Sequence, residues 1–254
     1  MIDLHSHILP GLDDGAHDLD DSLEIARAAV ADGITAIAAT PHVREDYPTT
    51  ADAMENGVRQ LRAALDREGI ELELLPGGEV SLEQLDRLSH DELRRFGLGG
   101  SAKYLLVETP YLDWPLPFGE IVSRLGSFGM IPVIAHPERN RAIQEDLAKV
   151  AGLFDSGALI QVTAASLDGR LGSRTRACAR KLVDAGLVHM VGSDAHTADL
   201  REVGLSGACK VIGDEPLARW LTESVPAAIV RDEALPARPT PGRPPGLWAR
   251  LLGR

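Results

Sequence analysis

A chain of 254 residues, 44% hydrophobic and 25% charged, is long enough to bury a core as one α/β barrel or as two smaller domains. Its formal net charge of -12 argues against a nucleic-acid surface while leaving room for acidic metal ligands. Its two cysteines support neither a disulfide framework nor a C-x5-R thiol nucleophile, and no stretch reads as a leader or a membrane span. The expectation is a cytoplasmic protein with no membrane insertion and no nucleic-acid partner.

From the first residue onward, short β-branched or aliphatic runs alternate with longer stretches of helical periodicity. Strand one, Ile2–His5, delivers His5 and His7, with Asp13 and Asp14 in the loop that follows. Strand side chains alternate, so an H-x-H at a strand end puts both imidazoles on one face. That geometry suits two ligands on one ion, and it also arises without a metal. A helix over Asp20–Ala31, stopped by Gly33, leads to strand two, Ile34–Ala39, which is followed by His42. A helix over Ala51–Arg67, ending at Gly69, leads to strand three, Glu71–Leu75, which runs through Pro-Gly-Gly to Glu79. Strand four, Tyr104–Val107, ends at Glu108, and a helix over 118–128 leads to strand five, Ile131–Ala135. After strand five stands A-H-P-E-R, with His136 and Arg139. A helix over 146–155 precedes strand six, Leu159–Val162, and one over 174–184 precedes strand seven, Val188–Val191. Strand seven runs into G-S-D-A-H, with Asp194 and His196. Beyond Leu235 the run P-A-R-P-T-P-G-R-P-P-G is expected to be extended. The chain thus divides into a single domain over 1–235 and a flexible C-terminal tail over 236–254.

Seven strands alternating with helices imply parallel βαβ units and favour a closed or nearly closed barrel over an open doubly wound sheet. No G-x-G-x-x-G or G-x-x-x-x-G-K-[ST] follows a strand, which disfavours dinucleotide and P-loop binding. Barrel active sites lie at the C-terminal strand ends, and the polar outliers fall there at six of the seven. Singly, these residues read as core histidines, rim charges or helix caps. Together at one barrel end, several imidazoles and carboxylates would carry a large desolvation and like-charge cost without cations, so their conjunction predicts a metal site. His17 lies in the entry to the first helix, close to the rim, His90 in a polar helical stretch and His189 inside strand seven; all three are expected to be structural, with Asp3 as strand-one support and Asp13 as loop structure.

The ordered motifs H-S-H, D-D-G, T-P-H, G-G-E, V-E-T-P, A-H-P-E-R and S-D-A-H resemble the polymerase and histidinol phosphatase (PHP) superfamily. More narrowly, they resemble its bacterial manganese-dependent protein-tyrosine phosphatases of capsule and exopolysaccharide loci, over Met1 to about Val230. The resemblance implies an α/β protein, a distorted (β/α)7 TIM-like barrel of the PHP fold, holding three divalent ions. Manganese is expected, with iron or zinc as alternatives. By the resemblance, His5, His7, Glu79 and Asp194 hold the first ion; Glu79, Glu108 and His136 the second; and Asp14, His42 and His196 the third. Arg139 and Arg201 match the positions of the arginines that bind the substrate phosphate. The implied reaction is phosphotyrosine hydrolysis by a metal-bridged hydroxide, without a cysteine nucleophile. The implied substrate is a phosphotyrosine protein or peptide, the tail of a tyrosine kinase that regulates capsule or exopolysaccharide synthesis. A histidinol-phosphate or other small-molecule phosphomonoesterase of the superfamily is the alternative. Tyr47, Tyr111 and Trp114 stand in the loops that would shape the rim, where they would line it or pack the loops themselves.

Overall fold

The computed structural model describes residues 1–112, 118–198 and 203–240. Its centre is built from runs buried along almost their whole length, as expected of parallel strands covered on both faces. These are β1 (Ile2–Ser6), β2 (Ala36–Ala39), β3 (His42–Val43), β4 (Glu73–Leu75) and β5 (Glu79–Ser81). They continue as β6 (Tyr104–Glu108), β7 (Ile131–Ala135), β8 (Leu159–Thr163) and β9 (Met190–Gly192). All pairings between them are parallel, in the orders β1-β2-β4 and β3-β5-β6-β7-β8-β9.

The nine strands make seven staves, because β3 continues β2 and β5 continues β4 after short interruptions. Pro41, which has no N–H to donate, stands at the first break, and Pro76-Gly77-Gly78 at the second. At Gly78 a Cβ would lie 2.5 Å from the ring of Phe96, so this second break also lets a core aromatic close against the backbone. Closure comes from the first and last staves: Ser6 bridges Ala195 in parallel, His7 N–H donates to Ala195 O, and Asp194 N–H to His5 O. The result is the distorted seven-stave barrel that the alternation of strands and helices predicts.

The flanking helices follow the sequence pattern. The helix Leu19–Ala31 begins where the Asp18 carboxylate accepts from Asp21 N–H, and the helix Ala51–Glu68 begins where Thr50 accepts from Ala53 N–H. The second buries Met54, Val58, Leu61 and Leu65, one face at helical spacing. Sequence periodicity left out several short helices, among them Leu82–Arg87, Ala164–Asp168 and the run from Ser206 to Val230, which includes a π turn at Trp220–Ser224. The expected helix over 146–155 is preceded by a separate turn, Arg141–Glu145, and itself starts at Ala148. The proline-rich segment begins against the barrel: Pro236 O accepts from Trp220 Nε1, and the Arg238 guanidinium donates to Val183 O and Val188 O. Residues 241–254 lie outside the described residues. No helix among the described residues is long and apolar enough to cross a membrane.

Candidate metal centre

His5 and His7 of stave one both bring Nε2 to Glu79 and Asp194, and β1 has a one-residue register irregularity between Asp3 and Ser6 where His5 sits. At the opposite closing edge, Asp194 adopts φ 56, and His136 at the end of β7 adopts φ 33. Left-handed backbone at two ligand-type residues is conformational strain concentrated where chemistry is expected. His42 and Glu79, expected just past strands two and three, are strand residues. They lie on β3 and β5 and are directly paired in register, which turns both side chains toward the same pocket.

The distances describe a single pocket. His5 Nε2 lies 3.4 Å from Glu79 Oε2 and 3.2 Å from Asp194 Oδ1, and His7 Nε2 lies 3.5 and 3.2 Å from the same two oxygens. His136 Nε2 is 2.8 Å from Glu79 Oε1. His42 Nδ1 is 3.0 Å from Glu79 Oε2 and 3.8 Å from Glu108 Oε2, while its Nε2 is 3.4 Å from Asp14 Oδ1. His196 Nε2 stands 3.4 Å from the same Asp14 oxygen. Three groups of ligand atoms each fall within 4.8 Å of one another: His7, Asp14, His42 and His196; His5, Glu79, His136 and Asp194; and His42, Glu79 and Glu108. All nine expected ligands are therefore neighbours. The inner ones are buried, whereas the side chains of Asp14 and His196 are 44% and 26% exposed and form the open edge.

The donor set fits divalent cations on the protein's own polar accounting. His5 Nε2, His7 Nε2, His42 Nδ1, His136 Nδ1 and Glu79 Oε2 are buried atoms with no hydrogen-bond partner among the described residues. Such atoms cost free energy unless something satisfies them, and borderline divalent metals take imidazole and carboxylate ligands. Their proton affinities agree. Burial alone would lower His5, but Glu79 and Asp194 raise it well above the usual histidine value. Burial would raise Glu79 and Asp194, yet the imidazoles, with Arg139 at Asp194, hold both carboxyls well below the usual range. Glu108 goes the other way, raised by burial and by the charge of Glu79. His196 is lowered by burial and by His7.

Three residues that sequence reasoning did not assign to the site support it. Asp13, expected to be loop structure, accepts from His7 Nδ1 at 2.7 Å and from His42 N–H at 2.9 Å. Gln161 Oε1 lies 3.1 Å from His5 Nδ1 and accepts from His136 N–H, so stave six contributes to the support of the ligands without supplying one. An amide buried in the aliphatic run L-I-Q-V-T was the available signal for it. Arg44 donates to Glu108 at 3.0 Å and makes two bonds to Asp46; nothing in the sequence marked it. Asp3, expected to be structural, ties β1 to stave seven by accepting from His5 N–H and Ser193 N–H. His189 also behaves as expected, accepting from Ile160 N–H away from the pocket.

At the rim, the Tyr47 ring stacks on His42 at 5.8 Å and the Tyr111 ring on His136 at 6.0 Å. Arg139 pairs with the Asp194 carboxylate, is 19% exposed, and its Nε has no partner among the described residues. Arg201 and Trp114 lie outside the described residues.

A parallel barrel with a buried pocket of imidazoles and carboxylates at the C-terminal ends of its strands has the fold and site of a metal-dependent barrel hydrolase. Residues 1–222 match the capsular polysaccharide synthesis family CpsB/CapC, and the chain belongs to that family. It is 40% identical over 229 residues to the tyrosine-protein phosphatase YwqE of Bacillus subtilis, covering 88% of this chain and 89% of the relative. To the tyrosine-protein phosphatase CpsB of Streptococcus agalactiae it is 28% identical over 218 residues, covering 84% and 89%. Among solved structures, one described with YwqE of B. subtilis and CpsB of Streptococcus pneumoniae as unique metal-dependent tyrosine phosphatases superposes with a TM-score of 0.84. That match is 38% identical and covers 95% of this chain and all of the other. A 5-methylcytosine deaminase from Klebsiella pneumoniae, 14% identical with a TM-score of 0.53 over 84% of this chain and 63% of its own, shares the fold.

Proposed function

We propose that this protein is a metal-dependent protein-tyrosine phosphatase that hydrolyses phosphotyrosine monoesters without a cysteine nucleophile. The observation that carries this reading is the convergence of nine ligand-type side chains from six staves on one pocket that is buried within and open at Asp14 and His196. The names of the relatives support the same chemistry. Both cysteines are poor nucleophiles here: burial pushes Cys178 up to about 12 and raises Cys209 as well.

In this reading three ions, manganese by preference with iron or zinc as alternatives, would be held by His5, His7, Glu79 and Asp194; by Glu79, Glu108 and His136; and by Asp14, His42 and His196. Bound there, divalent cations supply a water of lowered pKa and neutralise phosphoryl oxygens. Arg139, oriented by Asp194, presents its guanidinium to the phosphoryl oxygens as a planar fork of donors. Arg201 is assigned the same role. Tyr111 and Tyr47 flank the opening and offer ring faces to the substrate's phenol ring. A phenol leaves with a pKa near 10, so the reaction needs no dedicated general acid. The substrate is the tail of a tyrosine kinase that regulates capsule or exopolysaccharide synthesis, met in the cytoplasm by a single domain over 1–235.

The test is hydrolysis of a phosphotyrosyl peptide and of histidinol phosphate by manganese-loaded protein. The peptide is expected to be turned over with far higher kcat/KM, and chelation, His136→Ala and Asp194→Ala are each expected to abolish turnover. A strong preference for histidinol phosphate would replace the reading with a small-molecule phosphatase. Full activity after ligand substitution and chelation would remove the metal site altogether.

A further inference from the structure

A cleft of about 320 Å³ adjoins the metal centre on the side of Glu108 and Tyr111. Its wall is formed by the loop after β3, with Arg44, Glu45 and Asp46, and by the start of the helix Leu82–Arg87, with Glu83. Ser81 also lines it. Among the described residues that line it, four carboxylates thus face a single cation, and that cation is already matched: Arg44 makes two bonds to Asp46 and one to Glu108. Glu45 has only Arg87 at 3.9 Å, and Glu83 makes no ion pair among the described residues. A second observation points to an occupant. Ser81, which lines the cleft, is 7% exposed, and its hydroxyl has no hydrogen-bond partner among the described residues. A buried hydroxyl without a partner is disfavoured unless a ligand or water satisfies it.

We infer that this cleft is a specificity subsite that takes a lysine or arginine side chain close in sequence to the substrate's phosphotyrosine. The inference rests on the phosphatase reading above. Its geometry follows from that reading: a tyrosyl ring entering between Tyr47 and Tyr111 leaves a neighbouring side chain beside Glu108, and the cleft opens there. An aliphatic stem can lie along Leu82 and Pro110, beside Ser81, while the cationic head reaches Glu45 and Glu83. An acidic side chain in the same place would meet uncompensated carboxylates, so the subsite selects by repulsion as well as by attraction. Because Glu45 and Glu83 are exposed, each contact is modest and screened by salt.

The experiment compares phosphotyrosyl peptides of one length in an alanine host, with Lys, Ala or Glu placed in turn at each of the two positions on either side of the phosphotyrosine. The enzyme is the manganese-loaded full chain. At one of these positions kcat/KM is expected to be about fivefold higher for Lys than for Ala and lower again for Glu, with the spread shrinking as ionic strength rises. In a Glu45→Gln, Glu83→Gln double variant the Lys-to-Ala ratio is expected to fall to about one, a ratio that does not depend on how much of the variant is folded. Hydrolysis of every peptide at equal kcat/KM would overturn the subsite and leave the phosphatase reading standing. A failure to hydrolyse any of them, or free phosphotyrosine, would overturn that reading and the subsite with it.

Discussion

Asp13 holds His7 by a 2.7 Å bond to Nδ1, and through the same oxygen it holds the backbone of His42 at 2.9 Å. One carboxylate thereby fixes the tautomer of an innermost ligand and the position of a ligand on another stave. With Nδ1 bonded to Asp13, His7 presents Nε2 to Glu79 and Asp194. Carboxylates behind ligating imidazoles set ring orientation and ligand basicity, and their loss costs about 10–100-fold in metal affinity or activity. Asp13→Asn is expected to lower manganese affinity and kcat within that range while the circular dichroism spectrum of the chelated protein stays unchanged. Calorimetric titration with manganese measures the first effect. Wild-type affinity in the variant would show that Asp13 supports only its loop.

The protons on the pocket predict how metal binding varies with pH. Burial opposes protonation of His7, but the Asp13 carboxylate bonded to its Nδ1 and the neighbouring Asp194 carboxylate outweigh it and raise the group to about 10 in the protein without cations. An unfolded histidine titrates near 6.5. Protonated His7 therefore contributes stability that is fully present below about pH 6.5 and is lost as pH rises through about 10. A cation must displace that proton, so affinity runs in the opposite direction and rises with pH. The Tm of chelated protein is expected to fall between about pH 6.5 and 10, and the gain in Tm on adding manganese to grow across the same window. A gain that shrinks as pH rises would contradict the proton count.

The D-D-G turn has a steric requirement that can be tested separately. A Cβ on Gly15 would lie 2.1 Å from the His7 carbonyl oxygen and 2.4 Å from its Cβ, so the loop packs directly on a ligand residue. Relief requires movement of backbone, since no flexible side chain is at the contact. Gly15→Ala is expected to destabilise the protein by about 1–3 kcal/mol in urea unfolding and to reduce metal binding along with stability. Unchanged stability together with unchanged metal affinity would mean that the loop can shift without carrying His7.

What the sequence made legible follows from which constraints are local. Period-two alternation was enough to put His5 and His7 on one face, and apolar runs ending in polar residues located the strand ends around Glu108, His136 and Asp194. The strand character of His42 and Glu79 was not legible, because Pro41 and Pro76-Gly77-Gly78 read as strand terminators. Only the tertiary pairing of β3 with β5 restores the staves beyond them. Asp13 and Gln161 were hidden for a related reason: each acts through bonds to residues of other staves, which periodicity along one segment does not encode. The helices between Ser206 and Val230 are short, and their order depends on packing such as that of Trp220, whose indole donates to Pro236.

Arg139 is the residue whose planar shape, beyond its charge, the proposed reaction uses. Its guanidinium is anchored on one side by Asp194, and its Nε has no partner among the described residues. Burial works against its charge, but Asp194 and Glu138 raise its proton affinity, so it stays cationic across the working pH range. Lysine keeps the charge and loses the fork: one ammonium cannot hold Asp194 and donate in parallel to two phosphoryl oxygens. Hydrogen bonds to charged groups contribute about 1.5–3 kcal/mol, which corresponds to about 10–100-fold in rate when lost from the transition state. Arg139→Lys is therefore expected to lower kcat/KM for phosphotyrosine by about 10–100-fold while manganese affinity changes little. Steady-state kinetics and metal titration on the same preparation separate the two effects. An equal loss in both would assign Arg139 to holding Asp194 for the metal, and wild-type kinetics would remove it from phosphate binding.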